Sequence, residues 1–262
     1  MVINMKVFDV MEAMEKIAPL ELCASWDNSG FLVGDGNAEV SKIYVCLDVV
    51  HETVDDAISR GCNLIVAHHP VIFGGVKRIT NNDFVGSLLL KLISNQMNVI
   101  AAHTNFDSSE IGVNYVLSKA IGLGNVERMT DDPDNPCFIG SYDIPISGGE
   151  LAAKIKRVLG LDVIRAAGLD LDKQYQRVAV CGGAGTDFWL DALRCGADAL
   201  LSADGKHHIG LEAAAAGIAV FDGDHFHTEN LSMKYLERYL NDILPEMETV
   251  LSDIDTCPWK NY

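Results

Sequence analysis

The chain has 262 residues, 48% apolar and 22% charged, a balance that suits a globular protein with one large core or two ordinary ones. Its formal charge of −17 argues against nonspecific binding to nucleic-acid backbones or anionic lipids, though not against a small anionic ligand in a local basic pocket. No apolar run approaches the ~20 residues of a membrane span. Seven scattered cysteines without a C-x-x-C pair suggest reduced thiols in a cytoplasmic protein, and count against thiolate metal ligation.

The first segment carries Asp9, Glu12, Glu15 and Glu21, the wrong charge for a signal peptide. Its apolar residues Val7, Val10, Met11 and Met14 fall at helical spacing. A strand over 42–49 leads to a helix over 51–59, closed by Gly61. Residues 63–67 are an apolar run that must stop before Pro70, so they read as a buried strand. His68 and His69 sit at its carboxyl end. Successive side chains on extended backbone point to opposite sides, so this doublet can diverge and hold two different things.

A helix over 84–94 precedes a strand over 98–102, which ends at His103. A further helix covers 111–121 and stops near Gly122. Strands alternating with helices at this spacing imply an α/β protein. The run Thr130-Asp131-Asp132-Pro133-Asp134-Asn135-Pro136 is the strongest breaker cluster, and a domain boundary is expected there. The expected division is 1–129 joined by 223–262 as one unit, and 130–222 as the other. Beyond the cluster, 149–159 reads as helix, and 162–166 and 177–181 as strands. Gly182-Gly183-Ala184-Gly185 then opens a helix over 186–194. That loop has neither a P-loop lysine nor a dinucleotide fingerprint, so a tight strand-to-helix turn is expected there rather than a phosphate cradle.

An internal echo crosses the boundary. The stretch from Arg60 to His69 resembles the stretch from Arg194 to Ala203. Asn98–His103 followed by Asn105-Phe106-Asp107 has a counterpart in Gly217–Asp222 followed by His225-Phe226-His227. Each half presents polar residues at the ends of two successive strands, and the pair reads as a duplicated α/β unit.

In open α/β sheets ligands gather at the carboxyl ends of strands. Three such ends carry donors here: His68-His69, His103 to Asp107, and Asp222 to Glu229. His225 and Glu229 are four apart and share a face if a helix starts there. The candidate ligands are therefore His68, His69, Asp107, His225 and Glu229. Three imidazoles and two carboxylates are too many for one three-ligand catalytic ion, and suit two ions sharing a carboxylate. A mixed N/O set without thiolate suits zinc, iron, manganese or nickel.

These residues resemble a known family. Trp26-Asp27-Asn28-Ser29-Gly30-Phe31-Leu32-Val33-Gly34, Ala67-His68-His69-Pro70, His103-Thr104-Asn105-Phe106-Asp107 and His225 with Glu229 are similar to the Nif-three-like dinuclear-metal proteins, also called GTP cyclohydrolase I type 2 homologues. The resemblance runs over essentially the whole chain. It implies an α/β fold of two interlinked, similar units with mixed sheets, and two divalent ions per subunit. His69 and Asp107 would bind one ion and His68 and His225 the other, with Glu229 bridging. It also implies a homo-oligomer, commonly a hexameric ring, in the short form that lacks the middle insertion of larger members. The segment Asp204-Gly205-Lys206-His207-His208 and the extra His227 depart from the family pattern.

The resemblance implies a hydrolytic small-molecule chemistry. With GTP as substrate, hydroxide would attack C8 of guanine, open the imidazole ring and release formate. His103 stands first as the catalytic proton carrier, its alternative role being to orient a ligand. Lys206, His207 and His208 are candidate substrate contacts, with solvated surface positions as the alternative. Trp26 either stacks on a base or packs its loop onto the core. A non-catalytic metal-binding regulatory or scaffold protein, or another metal-assisted hydrolase acting on a phosphoester or amide, would use the same ligands.

Overall fold

The computed structural model describes residues 5–260. In chain order the elements are α1 (Val7–Ile17), β1 (Gly30–Val33), β2 (Ile43–Cys46), α2 (His51–Ser59), β3 (Leu64–Ala67), α3 (Phe84–Ser94), β4 (Asn98–Ala101), α4 (Thr104–Asp107) and α5 (Val113–Ala120). There follow β5 (Gly124–Arg128), β6 (Phe138–Ser147), α6 (Gly148–Leu159), β7 (Arg165–Ala167), β8 (Gln174–Val180), α7 (Trp189–Arg194), β9 (Ala199–Ser202), α8 (His207–Ala216), β10 (Ala219–Asp222), α9 (His225–Asn230), α10 (Met233–Ile243) and β11 (Thr249–Leu251).

The chain forms two compact units. One runs to Phe106 and resumes at Met233; the other is Asp107–Ser232. The first holds a five-stranded sheet ordered β1-β4-β3-β2-β11, in which only β1 runs antiparallel to its neighbour. The second holds a six-stranded sheet ordered β5-β6-β8-β9-β10-β7, with β8, β9 and β10 parallel and the other strands antiparallel. Both sheets are mixed, as expected.

Each unit repeats one path: a helix, an edge strand, then three parallel strands joined by helices, the edge strand lying antiparallel to the last of the three. In the first unit this is α1-β1-β2-α2-β3-α3-β4; in the second it is α6-β7-β8-α7-β9-α8-β10. The duplication read from the sequence is thus present, one residue out of register. Gly61 and Gly196 are the matching left-handed residues that end α2 and α7, at φ +75° and +78°. His68 and His69 accordingly correspond to Ala203 and Asp204.

The short strand β3 forms because it is wholly apolar and lies inside its sheet. All four residues of β3, Leu64 to Ala67, are fully buried. Ile65 packs with Tyr44, Leu88, Leu92 and Val99 in the core of the first unit. Truncating such a residue to alanine typically costs about 2–5 kcal/mol. In the second unit one sheet face buries Leu151, Ile155, Val178 and Phe221, and the other Ile139, Ala179, Leu200 and Val220.

The breaker cluster at 130–136 is the connection between β5 and β6, which pair antiparallel. The polypeptide passes between the compact units at 106/107 and 232/233. The strand expected over 162–166 forms as β7, displaced to Arg165–Ala167, and the helix expected over 186–194 is a 3-10 turn followed by α7. All seven cysteines are free, five of them buried. No helix among the described residues is long and apolar enough to cross a membrane.

Candidate metal centre

The histidine doublet continues the edge of β3. Its backbone amides still donate to β2 and the residue after it, His68 N–H to Cys46 O at 3.2 Å and His69 N–H to Leu47 O at 2.9 Å. The side chains then part. His68 Nδ1 lies 2.8 Å from the Ala102 carbonyl, beside β4, and His69 Nδ1 lies 2.7 Å from Asp48 Oδ1, beyond the end of β2. A carbonyl only accepts, so His68 carries its proton on Nδ1, and Nε2 is the nitrogen that could ligate a metal. Asp48 aligns His69 in the same way, and its other oxygen accepts from the Thr256 hydroxyl.

His103 extends this imidazole group. Its ring centre is 5.2 Å from that of His68 and 5.7 Å from that of His69. One nitrogen from each of the three rings lies within 4.8 Å of the others, close enough for one ion to touch all three. His103 Nδ1 is 2.7 Å from Asp27 Oδ1. Burial pushes the Asp27 carboxyl up, but hydrogen bonds from His103, the Thr104 hydroxyl and the Asn28 amide outweigh it, holding the group far below the usual carboxylate range. An ionised carboxylate only accepts, so His103 donates through Nδ1 and turns Nε2 away from Asp27.

Each residue of the His103–Asp107 motif has a distinct task. Thr104 donates to Asp27 Oδ2 at 2.6 Å and accepts from the Ala24 amide at 2.9 Å. Asn105 donates to the Ala18 carbonyl at 2.7 Å. Phe106 is fully buried, its ring edge-on to His68. Asp107 is buried and opens the second unit. The segment Trp26–Ser29 is therefore the clamp that fixes His103 and Thr104. Trp26 itself remains more than half exposed, 6.0 Å from the Phe73 ring and 6.3 Å from His103.

In the second unit, α9 places His225 and Glu229 one turn apart, with Nε2 and Oε2 separated by 3.3 Å. His225 Nδ1 is 2.8 Å from Asp204 Oδ2, which orients it as Asp48 orients His69. Glu229 is buried, and a carboxylate oxygen of Asp107 lies within 4.8 Å of one of its own. The glycine loop closes over this pair. A β-carbon on Gly182 would come 3.2 Å from Glu229 Cγ, and one on Gly183 would overlap Glu229 Oε1 and approach His225 Nε2 to 3.0 Å. The three glycine amides of the loop are already used: Gly182 donates to Asn114 Oδ1, Gly183 to Thr228 Oγ1 and Gly185 to Ser202 Oγ. The loop is a tight turn that makes room for a carboxylate, and its amides are not a phosphate cradle.

The donor chemistry fits transition-metal ions: imidazoles anchored through Nδ1 and carboxylates packed against glycine, without thiolate. The remaining expected residues lie elsewhere within their unit. Lys206 and His207 line a cavity of about 410 Å³ among β7, β10 and α8, and Lys206 is ion-paired to Asp187. His208 is exposed and is not among the lining residues. His227 is tied to Asp224, the residue that caps its own helix. Asp27, Asp48 and Asp204 were not singled out from the sequence. Asp48 carried a signal, because it follows the end of β2 as His69 follows β3.

A family model described as Duf34/NIF3 (NGG1p interacting factor 3) matches residues 5–258. A GTP cyclohydrolase 1 type 2 homolog of Clostridium acetobutylicum is 32% identical over 93% of this chain and 92% of the relative. One of Clostridium perfringens is 33% identical over 91% and 94%. Among solved structures, the hypothetical protein SA1388 of Staphylococcus aureus superimposes with a TM-score of 0.92 at 28% identity, covering 99% of this chain and all of that one. Reduced HcgD from Methanocaldococcus jannaschii gives 0.84 at 26% identity, covering 97% and 100%.

Proposed function

The chain belongs to the Duf34/NIF3 family, and from that premise we propose that it is a metal-dependent hydrolase that holds two divalent ions. His69 and Asp107 would bind one ion, His68 and His225 the other, and Glu229 both. Zinc, iron, manganese and nickel all suit this set. The observation that carries the reading is the common anchoring of the imidazoles. His68, His69 and His225 each commit Nδ1 to an oxygen, so that Nε2 is the ring atom that would meet a metal ion. When bound, the ions supply the Lewis acidity that makes water a nucleophile at neutral pH.

The chain's own residues do the rest. Asp48 and Asp204 hold the ligand rings at fixed angles. Asp27 keeps the Nδ1 proton of His103, so that Nε2 is the atom that takes a proton from water or returns one to the product. The names of the relatives support GTP as the substrate; on that reading C8 of guanine would be attacked and formate released. For Lys206, the surface pairing with Asp187 weakens a substrate role. A homohexamer in the cytoplasm completes the reading. Seven free thiols agree with that compartment, and light scattering should return six times 28.4 kDa.

Incubating metal-loaded protein with GTP and assaying formate tests the activity. Formate production, lost in His103→Ala with the ions retained, supports it. No formate from fully loaded protein excludes the ring-opening reaction, and leaves a non-catalytic metal-binding protein or a hydrolase of another ester or amide.

A further inference from the structure

The connection between β3 and α3 begins with His68 and His69 and runs on, past Pro70, beyond the candidate ligands. It encloses a cavity of about 600 Å³ that starts at Asp48 and His69, follows Pro70 to Arg78, and ends at Phe84 on the first turn of α3. That volume suits a small organic ligand. The charges lining it differ in availability. Asp48 is engaged by His69 and Thr256, and Asp83 caps α3 by accepting from the Gly86 amide at 2.7 Å. Lys77 and Arg78 are exposed, and neither side chain has an ion pair or hydrogen bond to a described residue. In this acidic chain Lys42, Arg60, Lys91 and Lys206 each pair with a carboxylate. Two adjacent cations left available on a cavity wall are an anion site by charge.

The same wall carries aromatic faces. Phe73 is 57% exposed and Phe84 58%. A ligand with a planar ring and a phosphate tail matches both features, because the ring stacks on phenyl groups while the phosphate meets the lysine and arginine. We propose that this cavity binds a nucleotide, with its base against Phe73 or Phe84 and its phosphates on Lys77 and Arg78. The inference deepens the hydrolase reading and rests on it for the ligand's role as substrate. Binding itself requires no ion.

The test is calorimetry on chelator-treated full-length protein, titrated separately with GTP, guanosine and inorganic triphosphate. GTP should bind more tightly than either fragment. Lys77→Ala with Arg78→Ala should weaken GTP and triphosphate at least tenfold and leave guanosine unchanged. Phe73→Ala or Phe84→Ala, whichever ring stacks on the base, should weaken GTP and guanosine and spare triphosphate, and no effect from either would overturn the stacking. Lys206→Ala, in the other cavity, should change none of them. No GTP binding by the parent, equal binding by the double variant, or dependence on Lys206 instead would overturn the proposal. So would a loss of binding accompanied by a changed particle mass, which would assign the loop to a contact between copies. Elemental analysis of untreated protein separates the two readings. Absent ions with GTP binding that depends on Lys77 and Arg78 sink the metal centre alone. Two ions with binding indifferent to them sink this pocket alone.

Discussion

Gly183 and Glu229 are in such close contact that no β-carbon fits between them. Gly183 also has a φ of +62°, where an L-residue is strained. Gly183→Ala should therefore lose roughly 1–2 kcal/mol of stability from backbone strain. It should also displace the Glu229 carboxylate and strip metal from the protein. Thermal melts and elemental analysis read the two effects separately. A stable variant with full metal content would remove the glycine loop from the site.

On the proposed reading Asp48 would govern metal affinity through His69. Its Oδ1 fixes the ring at 2.7 Å while Thr256 fixes Asp48. Partners of this kind typically contribute 10–100-fold to metal affinity. Asp48→Asn should weaken binding of one ion by about that factor, measured by competition with a chromogenic chelator. Unchanged affinity would show that His69 needs no orienting group.

Asp27 gives a pH signature. Burial raises its carboxyl, but the hydrogen bonds from His103, Thr104 and Asn28 win, so its folded pKa lies below the ordinary 3.8. A depressed carboxyl contributes stability that is present in full above the unfolded pKa and is lost as pH falls toward the folded one. The stability difference between the parent and Asp27→Asn should thus be largest above about pH 5 and shrink below about pH 4. Urea melts from pH 3 to 7 measure it. A difference that grows on acidification would reverse the assignment of charge to Asp27.

Much of this was legible in the residue pattern. The helices over 51–59 and 84–94 and the strands ending at His68 and His103 follow from apolar periodicity and from the punctuation of glycine and proline. The 10-residue β6 was not, because Gly140 and Pro145 interrupt its alternation and the pairing with β8 shifts register between Ser141 and Ile146. The breaker cluster was ambiguous for a related reason. Seven polar and proline residues mark a turn equally well inside a sheet and between domains. At the site, the histidines announced themselves by chemistry and position. Asp27, Asp48 and Asp204 did not, because an aspartate near a strand end is common and only a partner across 76, 21 or 21 residues gives it a task.

On the proposed assignment Glu229 would hold both ions and Asp107 one. As a carboxylate shared by both ions, Glu229→Gln should lose both. Asp107→Asn should lose mainly the ion it shares with His69. Elemental analysis of each variant decides, and equal losses from both would contradict the assignment of the bridge.

The central claim is a pair of ions held by five side chains, and anomalous diffraction from crystals grown with zinc or manganese tests it most directly. Two peaks should appear, roughly 3.5–4 Å apart. One should contact His69 and Asp107, the other His68 and His225, and Glu229 should touch both. A single peak, peaks on other residues, or none at all would contradict the account.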